Sequence, residues 1–217
     1  MAIIFDEQNK TFTIHTEHST YQMQIDPYGV LLHLYYGRKT KGCMDYLLQK
    51  QDRGFSGNLY DAGNDRTYST DTLPQEYSSF GSGDYRESAL DIRYDNGTRT
   101  LGLRYEGYEI IKGKYSIPGL PAMYADENEA ETLVITLRDD VQDVRVKLYY
   151  GVIEELDIIT RTVCVENHGK AQVQLERVMS LCLDQPYGDW DWMTFYGKHE
   201  MKDSFPEHRS ITRAVCR

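Results

Sequence analysis

The chain has 217 residues with 24 Lys+Arg against 34 Asp+Glu, a net charge of −10. That length suffices for one large β domain whose core needs no staples, and that charge, with no Lys/Arg stripe to offset it, repels phosphate backbones and argues against a nucleic-acid partner. The longest apolar run, VLLHLYY at 30–36, falls far short of the roughly 20 residues that span a bilayer, so no membrane partner is expected.

The opening MAIIFDEQNK places an acidic residue at position 6 and has no basic stretch leading into an apolar one, so no signal peptide is expected; four scattered cysteines, read as free thiols, make the reducing cytoplasm the expected location. TFTIHTE (11–17) and STYQMQID (19–26) both alternate, with Phe12 and Ile14, then Tyr21, Met23 and Ile25, on one face. This predicts a hairpin turning at residues 18–20. GVLLHLYYG (29–37) reads as a third strand, apolar enough to be covered on both faces, with His33 as a hydrogen-bonded core histidine. Within HTEH (15–18), extended backbone sends His15 and His18 to opposite faces, so the two do not share a metal. Residues 40–52 carry mixed signals, and CMDYLLQK reads as one short helical turn or two.

From residue 53 to 88 the periodicity dissolves into Gly, Ser, Asp and aromatics. A connection of this length is either disordered or functional. Phe55, Tyr60, Tyr68, Tyr77, Phe80 and Tyr85 argue for an ordered, packed loop, because disordered segments are poor in aromatics. Asn96-Gly97, between LDIRY and TLGLRY, predicts a tight hairpin. ETLVITLRD (131–139) and VRVKLYYGV (144–152) alternate as strands, and DIITRTVCVEN (157–167) with QVQLERVMSLCLD (172–184) reads as a further hairpin-like pair. About a dozen strands without an amphipathic helix give an all-β, antiparallel two-sheet architecture in one domain.

Chemistry is sparse. Cys43, Cys164, Cys182 and Cys216 are scattered without CxxC spacing, so they are expected as free thiols, with neither zinc nor disulfides. His168 is a turn residue, and with His199 it is the late-chain candidate for a mutarotase-like acid–base pair, which no surrounding motif supports. Asp189 and Asp191 of DWDW lie in one strand, an unsuitable arrangement for flanking a glycosidic bond. No phosphate-binding, dinucleotide-binding, serine-hydrolase or zinc-protease motif occurs, and no metal or cofactor is expected.

DRTYSTDTLPQEYSSFGSGDYRESAL (65–90) resembles the signature loop of bacterial α-galactosidases of glycoside hydrolase family 36. NKTFTIHTEHSTYQMQI, LLHLYYGRKT, IPGLPAMYADENEAETLVITLRD, IITRTVCVEN and YGDWDWMTFYGKHEMK resemble further family segments in the same order, so the likeness covers essentially the whole chain. Ser78 and Ser88 stand where the family commonly has proline, and Tyr68 and Tyr85 where it has phenylalanine.

The resemblance implies an antiparallel β-supersandwich of the galactose mutarotase-like kind over residues 1–217, truncated at its C-terminal end, with the signature loop at 53–88. It also implies a retaining hydrolase of terminal α-galactosides whose two catalytic aspartates belong to a (β/α)8 barrel absent from this chain. The fragment alone is then inactive, with no catalytic residue of its own. Its partners are an α-galactoside sugar, its own catalytic barrel and further copies in a homo-oligomer. In some family members a loop of this domain reaches a neighbouring subunit's sugar pocket. The matching element is QKQDRGFS, so Asp52 and Arg53 are the expected sugar contacts, with Asp65 and Arg66 assisting. Glu76, Asp84 and Arg86 are expected to be architectural, with Arg86 forking onto a carboxylate. A stand-alone carbohydrate-binding or scaffolding sandwich is the alternative.

Overall fold

The computed structural model describes residues 2–52, 54, 59–81 and 83–185, with the backbone of two further strands beyond them. The chain divides into two compact units, Met1–Asp184 and Gln185–Arg217. Among the described residues no helix is long and apolar enough to cross a membrane.

The first unit begins with an antiparallel meander. Strands β1 (Ile3–Asp6), β2 (Thr11–His15), β3 (Ser19–Ile25) and β4 (Leu31–Arg38) follow one another in sheet order as in sequence. The expected hairpin over 11–26 is present, with Phe12 opposite Met23 and Ile14 opposite Tyr21. A second meander comprises β6 (Arg104–Lys112), β7 (Glu131–Asp139), β8 (Val144–Ile153) and β9 (Ile158–Asn167). Between them, β5 (Leu90–Tyr94) pairs with β10 (Val173–Val178).

The period-two pattern builds the core. Phe12, Ile14, Tyr21, Met23 and Leu31 from the first sheet join Leu133, Ile135, Val146, Leu148 and Val152 from the second, with Leu90 and Ile92 from β5. Each fully buried aliphatic side chain contributes about 1.5–3 kcal/mol relative to exposure. A second, smaller cluster holds Val30, Leu32, Ala62, Tyr68 and Leu73. Leu31 lies in one cluster and Leu32 in the other, so β4 is covered on both faces, as its apolar run predicts.

Two expected pairings are corrected. The Asn96-Gly97 turn forms, with Tyr94 N–H donating to Thr98 O at 2.9 Å and Gly97 at φ 83°, but the chain does not continue as a hairpin. Residues beyond Thr98 instead meet the loop, where Leu101 N–H donates to Phe80 O, and β5 takes β10 as its partner. Likewise β9 and β10 do not pair. Ten residues of β9 pair with β8, while β10 crosses to β5. A local turn signal fixes the turn and not the partner strand, which burial selects.

Of the region expected as loop, the described residues include one 3-10 turn at Tyr60–Ala62, and another lies just upstream at Asp45–Leu47, while Phe55 lies outside the described residues. Its middle is part of the fold. Gln75 bridges Leu32 beside β4, and Ser79 bridges Leu90 beside β5. The loop thereby splices the first meander to the β5–β10 pair.

The second unit contains an antiparallel pair, β11 (Asp189–Thr194) and β12 (Ser210–Val215). Asp189 and Asp191 stand two positions apart on β11, opposite Val215 and Arg213. His199 and Cys216 lie outside the described residues, while Cys43, Cys164 and Cys182 are free thiols.

Candidate functional site

The loop is held from below by one buried carboxylate. Glu76 has no exposed surface, and its backbone N–H donates to Leu31 O at 3.0 Å. Its side chain accepts hydrogen bonds from Tyr21 Oη on β3 (2.7 and 2.8 Å), Tyr150 Oη on β8 (2.7 Å) and Arg161 Nη1 on β9 (2.5 Å). Arg161 Nη2 also donates to the Glu76 carbonyl at 3.1 Å. Arg161 and Tyr150 are direct cross-strand partners, so one rung of the second sheet grips Oε1 and the backbone carbonyl oxygen of this residue. A buried ion is tolerable only when paired and hydrogen-bonded to this extent.

Electrostatics agree with that geometry. Burial pushes the Glu76 carboxyl up, but Arg161, His33 and the Tyr150 hydroxyl more than offset it and hold it below the usual carboxylate value. Burial also raises the Tyr21 and Tyr150 hydroxyls far above 10, so both remain proton donors. His33, expected as a hydrogen-bonded core histidine, is buried with Nδ1 at 3.4 Å from Glu76 Oε2. Neither ring nitrogen has hydrogen-bond geometry to a partner among the described residues, so the structure shows a close approach and not the expected hydrogen bond.

Arg86 closes the far side of the loop. Its Nε and Nη2 reach Asp84 Oδ1 and Oδ2 at 2.9 and 2.8 Å, the expected fork. Nη2 also donates to Leu73 O at 2.8 Å and Thr70 O at 3.1 Å, and Nη1 reaches Asp184 at 2.8 Å. Tyr68 Oη donates to Asp26 at 2.5 Å, while Asp26 Oδ1 accepts the N–H groups of Tyr28 and Val30 at 2.8 Å. Together with the Glu76 contacts, these tie the described part of the loop to both sheets.

On this base lie the residues singled out from the sequence. Asp52 Oδ1 accepts the Gly54 N–H at 2.8 Å and lies 3.4 Å from Arg66 Nη2. The two side chains are 49% and 65% exposed, so the pair faces solvent. Asp65, next to Arg66, turns inward on its own loop: Oδ1 accepts from Thr67 Oγ1 at 2.6 Å and Thr67 N–H at 2.9 Å. Those two bonds, with the Lys50 charge, outweigh burial and lower its carboxyl below the ordinary value. The structure therefore brings Asp52 and Arg66 together and engages Asp65 separately, while Arg53 lies outside the described residues. The face offers an oriented carboxylate beside a guanidinium, an acceptor–donor pair suited to hydroxyls rather than a metal-ligand set. A surface groove of about 620 Å³ lies elsewhere, lined by Tyr94, Gly97, Gln172 and Val173 among others, and none of Asp52, Asp65 and Arg66 lines it.

Nothing in the local pattern announces that Tyr21, His33, Tyr150 and Arg161 converge on Glu76. The available signal was weak: each is a polar-tipped residue at a position where its strand is otherwise apolar.

A family model described as the glycosyl hydrolase family 36 N-terminal domain matches residues 29–213. The bifunctional α-galactosidase/sucrose kinase AgaSK of Mediterraneibacter gnavus is 55% identical over 202 residues, covering 93% of this chain and 22% of that protein. α-Galactosidase Mel36A of Lactobacillus acidophilus is 40% identical over 199 residues, covering 91% of this chain and 27% of its own. Among solved structures, the galactosidase domain of AgaSK superposes with a TM-score of 0.90 at 52% identity, over 98% of this chain and 29% of that one. An AgaA variant from Geobacillus stearothermophilus in complex with stachyose gives 0.84 at 36% identity, over 94% and 28%.

Proposed function

Because the chain belongs to glycoside hydrolase family 36 and matches its N-terminal domain, we propose that it is the non-catalytic N-terminal portion of a retaining α-galactosidase that releases terminal α-linked galactose from oligosaccharides. The chain spans between 22% and 29% of the relatives' lengths. Retaining hydrolysis needs two carboxyl groups about 5–5.5 Å apart across the scissile bond. In this proposal that pair belongs to a catalytic barrel elsewhere in the polypeptide.

The chain serves as one sandwich domain over residues 1–217, packing on its own barrel in a cytoplasmic homo-oligomer. Asp52 and Arg53 complete the sugar pocket of a neighbouring subunit, with Asp65 and Arg66 assisting. The observation that carries this is the exposed Asp52–Arg66 pair, oriented by the Gly54 N–H and mounted on a loop fixed through Glu76. A carboxylate so held accepts from sugar hydroxyls and discriminates against analogues lacking them. The AgaA structures with raffinose and stachyose support the substrate class.

The test is a parallel assay of the full-length polypeptide and of the isolated 217-residue chain on raffinose. Release of galactose by the first and none by the second is expected. No hydrolysis by the full-length polypeptide, with galactoside binding by the isolated chain, would instead make it a carbohydrate-binding module.

A further inference from the structure

Two turns from opposite sheets meet at one end of the sandwich. Residues 16–18 connect β2 to β3, and residues 154–157 connect β8 to β9. Asp157, at φ 54°, sends its carboxylate across: Oδ1 accepts from Thr16 Oγ1 and the His18 N–H, both at 2.7 Å, and Oδ2 lies 2.7 Å from His18 Nδ1. One backbone bond reinforces the junction, from Glu17 N–H to Glu154 O at 3.0 Å.

We propose that His18 and Asp157 form a proton-operated clasp between the two sheets, closed while the His18 ring carries both protons and loosened when it loses one. The groups around His18 make the doubly protonated ring the matched form. Its Nδ1 faces Asp157, and its Nε2 lies 4.0 Å from Glu17 Oε1. A neutral ring has one N–H, so one nitrogen then turns a lone pair toward a carboxylate. The opposing cation is Lys39, which follows β4: its Nζ donates to the Thr16 carbonyl and its N–H to the His18 carbonyl, both at 2.7 Å. Glu154 supplies the carbonyl that Glu17 N–H meets, and its carboxylate acts on the neighbouring His15.

The titrations have the matching signs. The hydrogen bond to Asp157, then the charges of Asp157 and Glu17, raise His18 above 6.5, against Lys39 and slight burial. Hydrogen bonds from Thr16 and His18 lower Asp157 to about 2. The His18 contribution is complete below 6.5 and is lost as pH rises through its folded value. The Asp157 contribution is complete above 3.8 and is lost as pH falls toward about 2. The clasp is therefore closed in mildly acidic solution and opens on the alkaline side.

Mass spectrometry on the intact full-length polypeptide tests this, through histidine C2-hydrogen exchange and amide exchange of the peptide spanning Glu17. In the unsubstituted protein His18 is expected to titrate above 6.5, and in Asp157→Asn near 6.5. Asparagine suits the left-handed backbone at that position, so the turn survives. Amide protection at Glu17 is expected to fall roughly twofold to fivefold as His18 deprotonates, the scale of an exposed ion pair. The same protection should be flat across that pH range in His18→Gln. An unchanged His18 midpoint in Asp157→Asn, or Glu17 protection that ignores the His18 titration, overturns the proposal.

Discussion

Glu76 and Arg161 form an ion pair in the core of the sandwich, the carboxylate from the signature loop and the guanidinium from β9, with Arg161 also lying over the Tyr150 ring at 4.9 Å. The loop is thereby bonded to the far sheet as firmly as to the near one.

Removing one partner of such a pair leaves the other buried without compensation. Glu76→Gln or Arg161→Met is expected to destabilise the fold by about 3–5 kcal/mol. Urea unfolding of each variant measures it. A change within about 0.5 kcal/mol, the usual range for surface substitutions, would mean the pair contributes nothing net.

The same carboxylate sets an acid limit. Its folded value lies below 4.5, so its contribution is complete above 4.5 and is lost as pH falls through the folded value. Stability measured from pH 6 to 3 should decline more shallowly in Glu76→Gln than in the unsubstituted chain. Parallel curves would assign the acid sensitivity to other carboxylates.

Arg86 acts by geometry as much as by charge. Lysine keeps the charge but replaces the planar fork that binds both Asp84 oxygens and two carbonyls. Arg86→Lys is expected to cost about 1–3 kcal/mol, the penalty for leaving buried acceptors unmet. Thermal unfolding reads this directly, with Arg93→Lys on the exposed face of β5 as the neutral control.

Gly151 on β8 leaves room for side chains packed against it. A Cβ there would stand 2.6 Å from Thr160 Oγ1 and 3.1 Å from both Lys114 Cγ and Tyr115 Cε1. Gly151→Ala should destabilise by about 1–3 kcal/mol through overpacking. Pairing it with Thr160→Ala in a double-mutant cycle should recover part of that loss.

Much of the fold was legible because period-two alternation is a local property: Phe12, Ile14, Tyr21 and Met23 announce their inward face without reference to the rest of the chain. The partners of β5 and β10 were not, because Asn96-Gly97 specifies a turn while the choice of β10 depends on burying Leu90 and Ile92 from a distance. The Arg86 fork was readable from proximity to Asp84, two residues away. The convergence on Glu76 was not, since its partners lie 55, 74 and 85 residues from it in sequence. For the candidate site, the segment holding Asp52 was singled out by resemblance. Its pairing with Arg66 required the loop's folded path.

The most direct measurement is kcat/KM for raffinose with the full-length polypeptide and its Asp52→Asn variant. Loss of a charge-assisted hydrogen bond to substrate, about 1.5–3 kcal/mol, lowers kcat/KM roughly tenfold to a hundredfold while the fold is unchanged. An unaltered kcat/KM in a folded variant would contradict a sugar-binding role for this loop and leave Asp52–Arg66 as a surface ion pair.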